Sequence, residues 1–178
     1  MRCHYIRYIV LVILFFFIAL PAAMAQPMGR VVHRLSRIYV EKQLLTVDEE
    51  VLVQIDNKEA GFLGNISIPY SPDEKFEILE AVILNQQGAV VRSLSKKEIN
   101  TRSYFSSDTY FADKLVKEFH LHWNEFPYQV RYRFQWVRSQ FVSVANWSPR
   151  LYGNVRTQKA ILQVSLPADY PVTVTAAP

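Results

Sequence analysis

The sequence predicts an all-β protein, a two-sheet antiparallel β-sandwich preceded by an N-terminal signal helix. Three observations carry this expectation. From Gly29 onward, apolar and polar residues alternate in short segments, and almost nothing repeats with a helical period. Those segments are joined by short connections without recurring helical stretches, which favours packed antiparallel sheets over a parallel α/β fold. Ahead of them lies one uncharged run, YIVLVILFFFIAL, unlike anything later in the chain.

That run is the core of a leader. Arg2 and Arg7, with no acid, form a basic start, and Ala23 and Ala25 supply small residues at the −3 and −1 sites, so cleavage is expected between Ala25 and Gln26. An uncleaved anchor is the competing reading, because Tyr8 to Ala25 approaches the roughly 18 apolar residues that span a bilayer. Pro21 and the small residues favour cleavage. The expected protein is exported, periplasmic or secreted, and it meets a membrane only through this segment if the segment is kept. Cys3 is the one cysteine and precedes the apolar run, so a lipidated cysteine is not expected and the processed chain has no thiol. Disulfides, thiolate nucleophiles and cysteine metal ligands are thereby excluded from it. Removing residues 1–25 takes Arg2 and Arg7 from the 20 basic residues and leaves 18 against 16 acids. An excess that small gives no reason to expect nucleic acid or anionic lipid as a partner.

The remaining chain divides into an N-terminal extension, 26–33, and one sandwich domain, 34–176. Strands are predicted in VVHRLSRIYVEK (31–42), EEVLVQID (49–56) and KFEILEAVIL (75–84). NQQG (85–88) reads as a turn, with Gly88 at a position that needs positive φ, leading into AVVRSL. In 95–113 the strand pattern breaks. SKKEI there predicts one helical turn, with Ser95 as N-cap and Glu98 in capping-box order. The same stretch carries two aromatic pairs, Tyr104 with Phe105 and Tyr110 with Phe111, the candidate binding loop of this sequence. Long loops of this kind are usually functional, and the competing reading tucks the rings against the core. Later strands are predicted in LVKEFHLHW (115–123), YQVRYRFQWV (128–137), QFVSVANW (140–147), KAILQVSL (159–166) and PVTVT (171–175).

The stretch FHLHWNEFPYQVRYRFQW tests three chemistries at once. Read with a period of two, Phe119, Leu121 and Trp123 share one face and His120 and His122 the other. Val130, Tyr132, Phe134 and Trp136 then oppose Arg131, Arg133 and Gln135. The expectation is a hairpin with one face on a core. A zinc site needs a third protein ligand, for which only His33, Glu118 or Glu125 are on offer, so no metal is expected. Nucleic-acid binding by a sheet needs exposed rings beside basic residues, whereas here rings and arginines lie on opposite faces.

No Gly-x-Ser-x-Gly elbow, phosphate loop or His-Glu-x-x-His occurs. No catalytic residue and no cofactor are expected. The segments GNISIPYSPDEKFEILEAVILNQQGAVVRSLSKKEI, SSDTYFAD, EFPYQVRYRFQW and ILQVSLPADYPVTV together resemble the domain of unknown function that precedes transglutaminase-like, cysteine-protease-like cores in exported bacterial proteins. The resemblance covers roughly 34–176. It implies a two-sheet β-sandwich, and a transglutaminase-like domain as partner, in cis or in trans. The Cys, His and Asp of such cores have no counterpart here, so the resemblance implies a non-catalytic accessory or scaffold module. The alternative is a module that binds carbohydrate or peptidoglycan through Tyr104, Phe105, Tyr110 and Phe111.

Overall fold

The computed structural model describes residues 29–103, 114–171 and 173–174. Ala25 and Gln26, and the ring pairs Tyr104/Phe105 and Tyr110/Phe111, lie outside the described residues. Among those described, nine strands form two sheets, as the alternating pattern predicts. β1 (Gly29–Glu41) and β2 (Leu44–Ile55) form the first hairpin, and a 3-10 helix at Lys58–Gly64 leads to β3 (Asn65–Tyr70). β4 (Lys75–Leu84) and β5 (Val90–Ser93) form the second hairpin. A 3-10 turn at Lys96–Glu98 precedes β6 (Asn100–Ser103), and β7 (Leu115–His120), β8 (Tyr128–Arg138) and β9 (Ala160–Ser165) complete the order. The six-stranded sheet runs β5-β4-β8-β2-β1-β9 and the three-stranded sheet β3-β7-β6. All pairings between strands are antiparallel except that of β9 with β1, which is parallel.

Local chemistry explains several boundaries. Gly88 takes φ +78 in the β4–β5 turn, the region the sequence reserved for it. Ser95 and Glu98 make the reciprocal capping box, with Glu98 accepting the Ser95 N–H at 2.8 Å. Backbone hydrogen bonding to that N–H and the Arg92 guanidinium hold the Glu98 carboxyl below its ordinary range. The β1–β2 turn is Lys42-Gln43, both at positive φ (49 and 65). A two-residue hairpin loop with both residues left-handed is normally Asn-Gly or Asp-Gly, so this turn has no recognisable signature. The second strand consequently begins five residues before the EEVLVQID stretch.

The main core lies between the sheets. Val51, Val53 and Ile55 of β2, Ile83 of β4 and Val130 of β8 are fully buried, facing Ile66 of β3 and Phe119 of β7. Phe119 meets Tyr132 edge-on with ring centroids 6.3 Å apart, a contact that spans the two layers.

That contact corrects the hairpin expected at 115–137. β7 pairs with β3 and β6, and β8 pairs with β2 and β4, so the two strands belong to opposite sheets. The burial expectation itself holds. Phe119, Leu121, Val130, Tyr132 and Phe134 point inward, His120 and His122 are exposed, and Trp136 is half-buried. Two amphipathic strands with a short connection satisfy their apolar faces equally well side by side or face to face, and the connection here turns the chain over. Gly64 permits the turnover: a Cβ at this position would sit 2.4 Å from the Leu121 carbonyl oxygen.

Two further expectations need correction. Residues 140–147 form no strand. Phe141 and Val144 pack inward and Trp147 reaches Ser36, a spacing of three rather than two, while Val142 stands fully in solvent. At the other end, Pro171, Thr173 and Val174 carry no strand. β3 and β6 were not anticipated: Pro69 and a run of polar residues, Asn100 to Ser103, obscure both.

Candidate functional site

The three-stranded sheet covers only part of the inner face of the six-stranded one. The uncovered part, Ile38 and Val40 of β1 with Leu45 and Val47 of β2, is buried instead by irregular chain: Phe141 and Val144 from one segment, Leu166 and Tyr170 from another. Residues 139–158 form the longer of these covers. A stretch this long without regular structure is uncommon inside a compact domain and usually functional.

Polar contacts hold it down. The Arg34 Nη1 donates to the Ser148 carbonyl at 2.7 Å, and the Trp147 Nε1 donates to the Ser36 hydroxyl at 2.8 Å. The Arg34 guanidinium lies 5.4 Å from the Trp147 ring centroid, in cation–π range. Beneath them, the Arg34 Nε donates to the Glu49 carboxylate, with side chains only 14% and 4% exposed. Glu49 falls on the inner face, in phase with Val47 and Val51. Tyr132 is held far above its ordinary phenol range by burial, reinforced by Tyr152, to whose hydroxyl it donates, and by the Glu49 charge. A phenol so hard to ionise is not a poised base at neutral pH.

The cover is undercut on both sides. A cleft of about 1000 Å³ lies between it and the turns at Lys42-Gln43 and Ser71–Glu74, with Phe141, Asp169 and Tyr170 in its walls. A second, about 790 Å³, runs along Leu162, Val164 and Val174. Between them a pocket of about 240 Å³ reaches Glu49 and Trp136. Ser143 lines all three. Arg138 spans the first cleft to Glu74 at 3.0 Å, which in turn accepts the Ser71 N–H at 3.0 Å.

The histidine pair lies elsewhere, on the outer face of the small sheet. His120 Nδ1 and His122 Nε2 lie 2.9 and 2.8 Å from the same Asn65 Oδ1. An amide oxygen only accepts, so each ring turns a donor nitrogen to Asn65 and keeps its other nitrogen for a different partner. Among the described residues no group of three or more His, Cys, Asp or Glu side chains converges. Glu118 is engaged by Arg102 at 2.6 and 2.8 Å, which holds its carboxyl below the ordinary value. The structure thus brings His120 and His122 together but sets His33, on β1 in the other sheet, apart from them. Among the described residues, no helix is long and apolar enough to cross a membrane.

Sequence reasoning missed Arg34, Ser36, Glu49 and Trp147. One signal was present: positions 45, 47, 49, 51 and 53 read Leu, Val, Glu, Val, Val, an acid in an apolar phase.

No curated protein matches the sequence. Among solved structures, a crystal structure described as a "putative protease" from Parabacteroides distasonis ATCC 8503 is similar, with a TM-score of 0.69 and 11% identity. The match covers 81% of this chain and 30% of that one. At this identity the likeness establishes the fold alone, and the chain spans under a third of its neighbour's length. A family model described as a domain of unknown function with a solved structure (DUF3857) matches residues 42–178, which takes in every strand from β2 onward and the whole lining of the 790 Å³ cleft. The chain belongs to the DUF3857 family.

Proposed function

We propose that this chain is a non-catalytic exported module that binds and positions a transglutaminase-like catalytic domain, carried in cis or supplied in trans. The observation that carries the reading is the place of the fold in a longer chain: the match covers 30% of a protein described as a "putative protease". The inner face supports it as well. Its buried ionisable groups are consumed in an ion pair and a phenol pair, and its hollows lie among loops at the surface, which suits recognition better than buried chemistry. The only thiol, Cys3, lies in the segment read as a leader.

Export is tested by N-terminal sequencing of periplasmic or secreted protein. The chain should start at Gln26, and membrane-bound material keeping residues 1–25 would favour an anchor. The processed chain should be folded, inert toward glutamine–amine transfer and peptide hydrolysis, and able to bind and stimulate a transglutaminase-like domain. Turnover that survives repurification and vanishes on one substitution in this chain would overturn the reading. A glycan ligand is the second reading. The rings of Phe141 and Tyr170 beside the acceptors Asp73, Asp169 and Gln140 in the 1000 Å³ cleft favour it. It requires that Tyr170→Ala abolish binding to cell-wall glycan.

A further inference from the structure

We propose that the free edge of β9 is a docking strand, which receives an extended polypeptide segment of a partner with apolar side chains at alternate positions. The proposal rests on the accessory reading only in taking the partner to be a polypeptide.

The four sheet edges are not alike. An open edge invites pairing with another chain, and proteins blunt such edges by shortness, charge or proline. β5 and β6 are four residues each and carry Arg92 and Arg102, and β3 carries Pro69. β9 is six residues, AILQVS, with no charge, no proline and no register shift against β1. Among the described residues, no strand lies on its far side.

The backbone direction follows from one hydrogen bond. The Arg34 N–H donates to the Lys159 carbonyl at 2.9 Å, with Arg34 opposite Ala160. In a parallel ladder this turns the peptide groups of Ile161, Gln163 and Ser165 toward β1 and those of Ala160, Leu162 and Val164 away from it. The side chains of Leu162 and Val164 meanwhile line the 790 Å³ cleft with Phe141, Val144 and Tyr170. An incoming strand would find unpaired peptide groups and an apolar trough at the same edge, which is the arrangement strand addition uses. Val164 is 43%, Val174 87% and Val142 108% exposed, so apolar surface is already displayed there.

A second copy fits less well. Two six-residue edges would join along a ribbon about 20 Å long. Such a ribbon leaves both troughs empty and falls short of the roughly 1,200 Å² a stable interface buries.

The test uses the chain as exported, ¹⁵N-labelled, and a ten-residue probe peptide of alternating valine and threonine with a lysine at each end. In the chain alone, the amides of Ile161, Gln163 and Ser165 should be protected from exchange and those of Ala160, Leu162 and Val164 should not. Saturating peptide should slow the latter three at least tenfold. Val164→Pro removes an outward N–H and spares the β1 pairing, so it should weaken peptide binding at least tenfold. Val164→Lys should do the same should the proline variant not fold, and Val90→Lys on the opposite edge should change nothing. Outward amides protected without peptide, in a monomer or in a dimer, overturn the proposal. So does peptide binding that both Val164 variants leave intact. A transglutaminase-like domain that binds regardless of those variants would overturn the β9 site alone; peptide capture at β9 with no such domain bound would overturn the accessory reading alone.

Discussion

Arg34 and Glu49 are the residues whose placement most depends on each other. An uncompensated charge at 4% exposure is costly, and removing one member of a buried pair typically destabilises by about 3–5 kcal/mol. Arg34→Met should therefore cost about that much in urea unfolding, and adding Glu49→Leu should recover most of it, because apolar replacement of both partners is often neutral. A double variant as unstable as the single one would mean that the contacts of Arg34 with Ser148 and Trp147 dominate. Phe134→Ala should cost about 3–5 kcal/mol as well, since the ring is buried between those of Tyr132 and Trp136. Acid sensitivity belongs to Glu98 and Glu118, both held below the ordinary value of 4.5. A lowered folded-state pKa gives stability that is present above the unfolded value and lost as pH falls through the folded one. Unfolding midpoints should thus fall below about pH 4.5, and Glu98→Gln with Glu118→Gln should flatten that slope. Inward residues such as Tyr132 and Phe134 were legible because period two sorts them. Arg34 was not, because the register shift between Val31 and His33 breaks the phase of β1.

Among elements, the β1–β2 turn carries the clearest local strain. Lys42 and Gln43 both hold positive φ, which costs an ordinary L-residue about 1–2 kcal/mol. Lys42→Asn with Gln43→Gly should stabilise the fold by about 1 kcal/mol, after the entropy glycine adds to the unfolded chain, and raise Tm by about 2–4 °C. No gain in calorimetry would place the compensation in the side chains, which line the 1000 Å³ cleft. Local pattern made β4, β8 and β9 legible almost to their ends, because each is a short run rich in apolar residues bounded by turn or loop residues. It was silent on partners: nothing local tells β7 whether to lie beside β8 or across from it. The irregular cover at 140–147 was misread because Phe141, Val142 and Val144 mix two spacings, and only packing against β1 and β2 selects the inward set.

The whole molecule has one large sheet and two covers of different make. One half of the inner face is closed by β3, β7 and β6, whose backbone pairing adds to the apolar contact. The other half is closed by irregular chain, with a 240 Å³ pocket beneath and clefts on either side. Few apolar contacts and unpaired backbone mark segments that open at lower free energy than the global transition. Native-state hydrogen exchange should therefore resolve two levels: amides of β2 and β8, paired on both sides, exchanging only through global unfolding, and those of 139–158 and β9 exchanging through a smaller opening. Trp147→Ala removes the indole N–H from Ser36, which is 1% exposed. A buried hydroxyl losing its partner costs about 1–3 kcal/mol. The variant should lower the opening energy of the cover by that amount while global stability moves no further than the same increment. A single exchange level throughout would show that the irregular half is as cooperative as the sheet-covered half. Selective opening would tie the surface proposed for partner docking to the least stable part of the fold, where β9 and its trough become fully accessible.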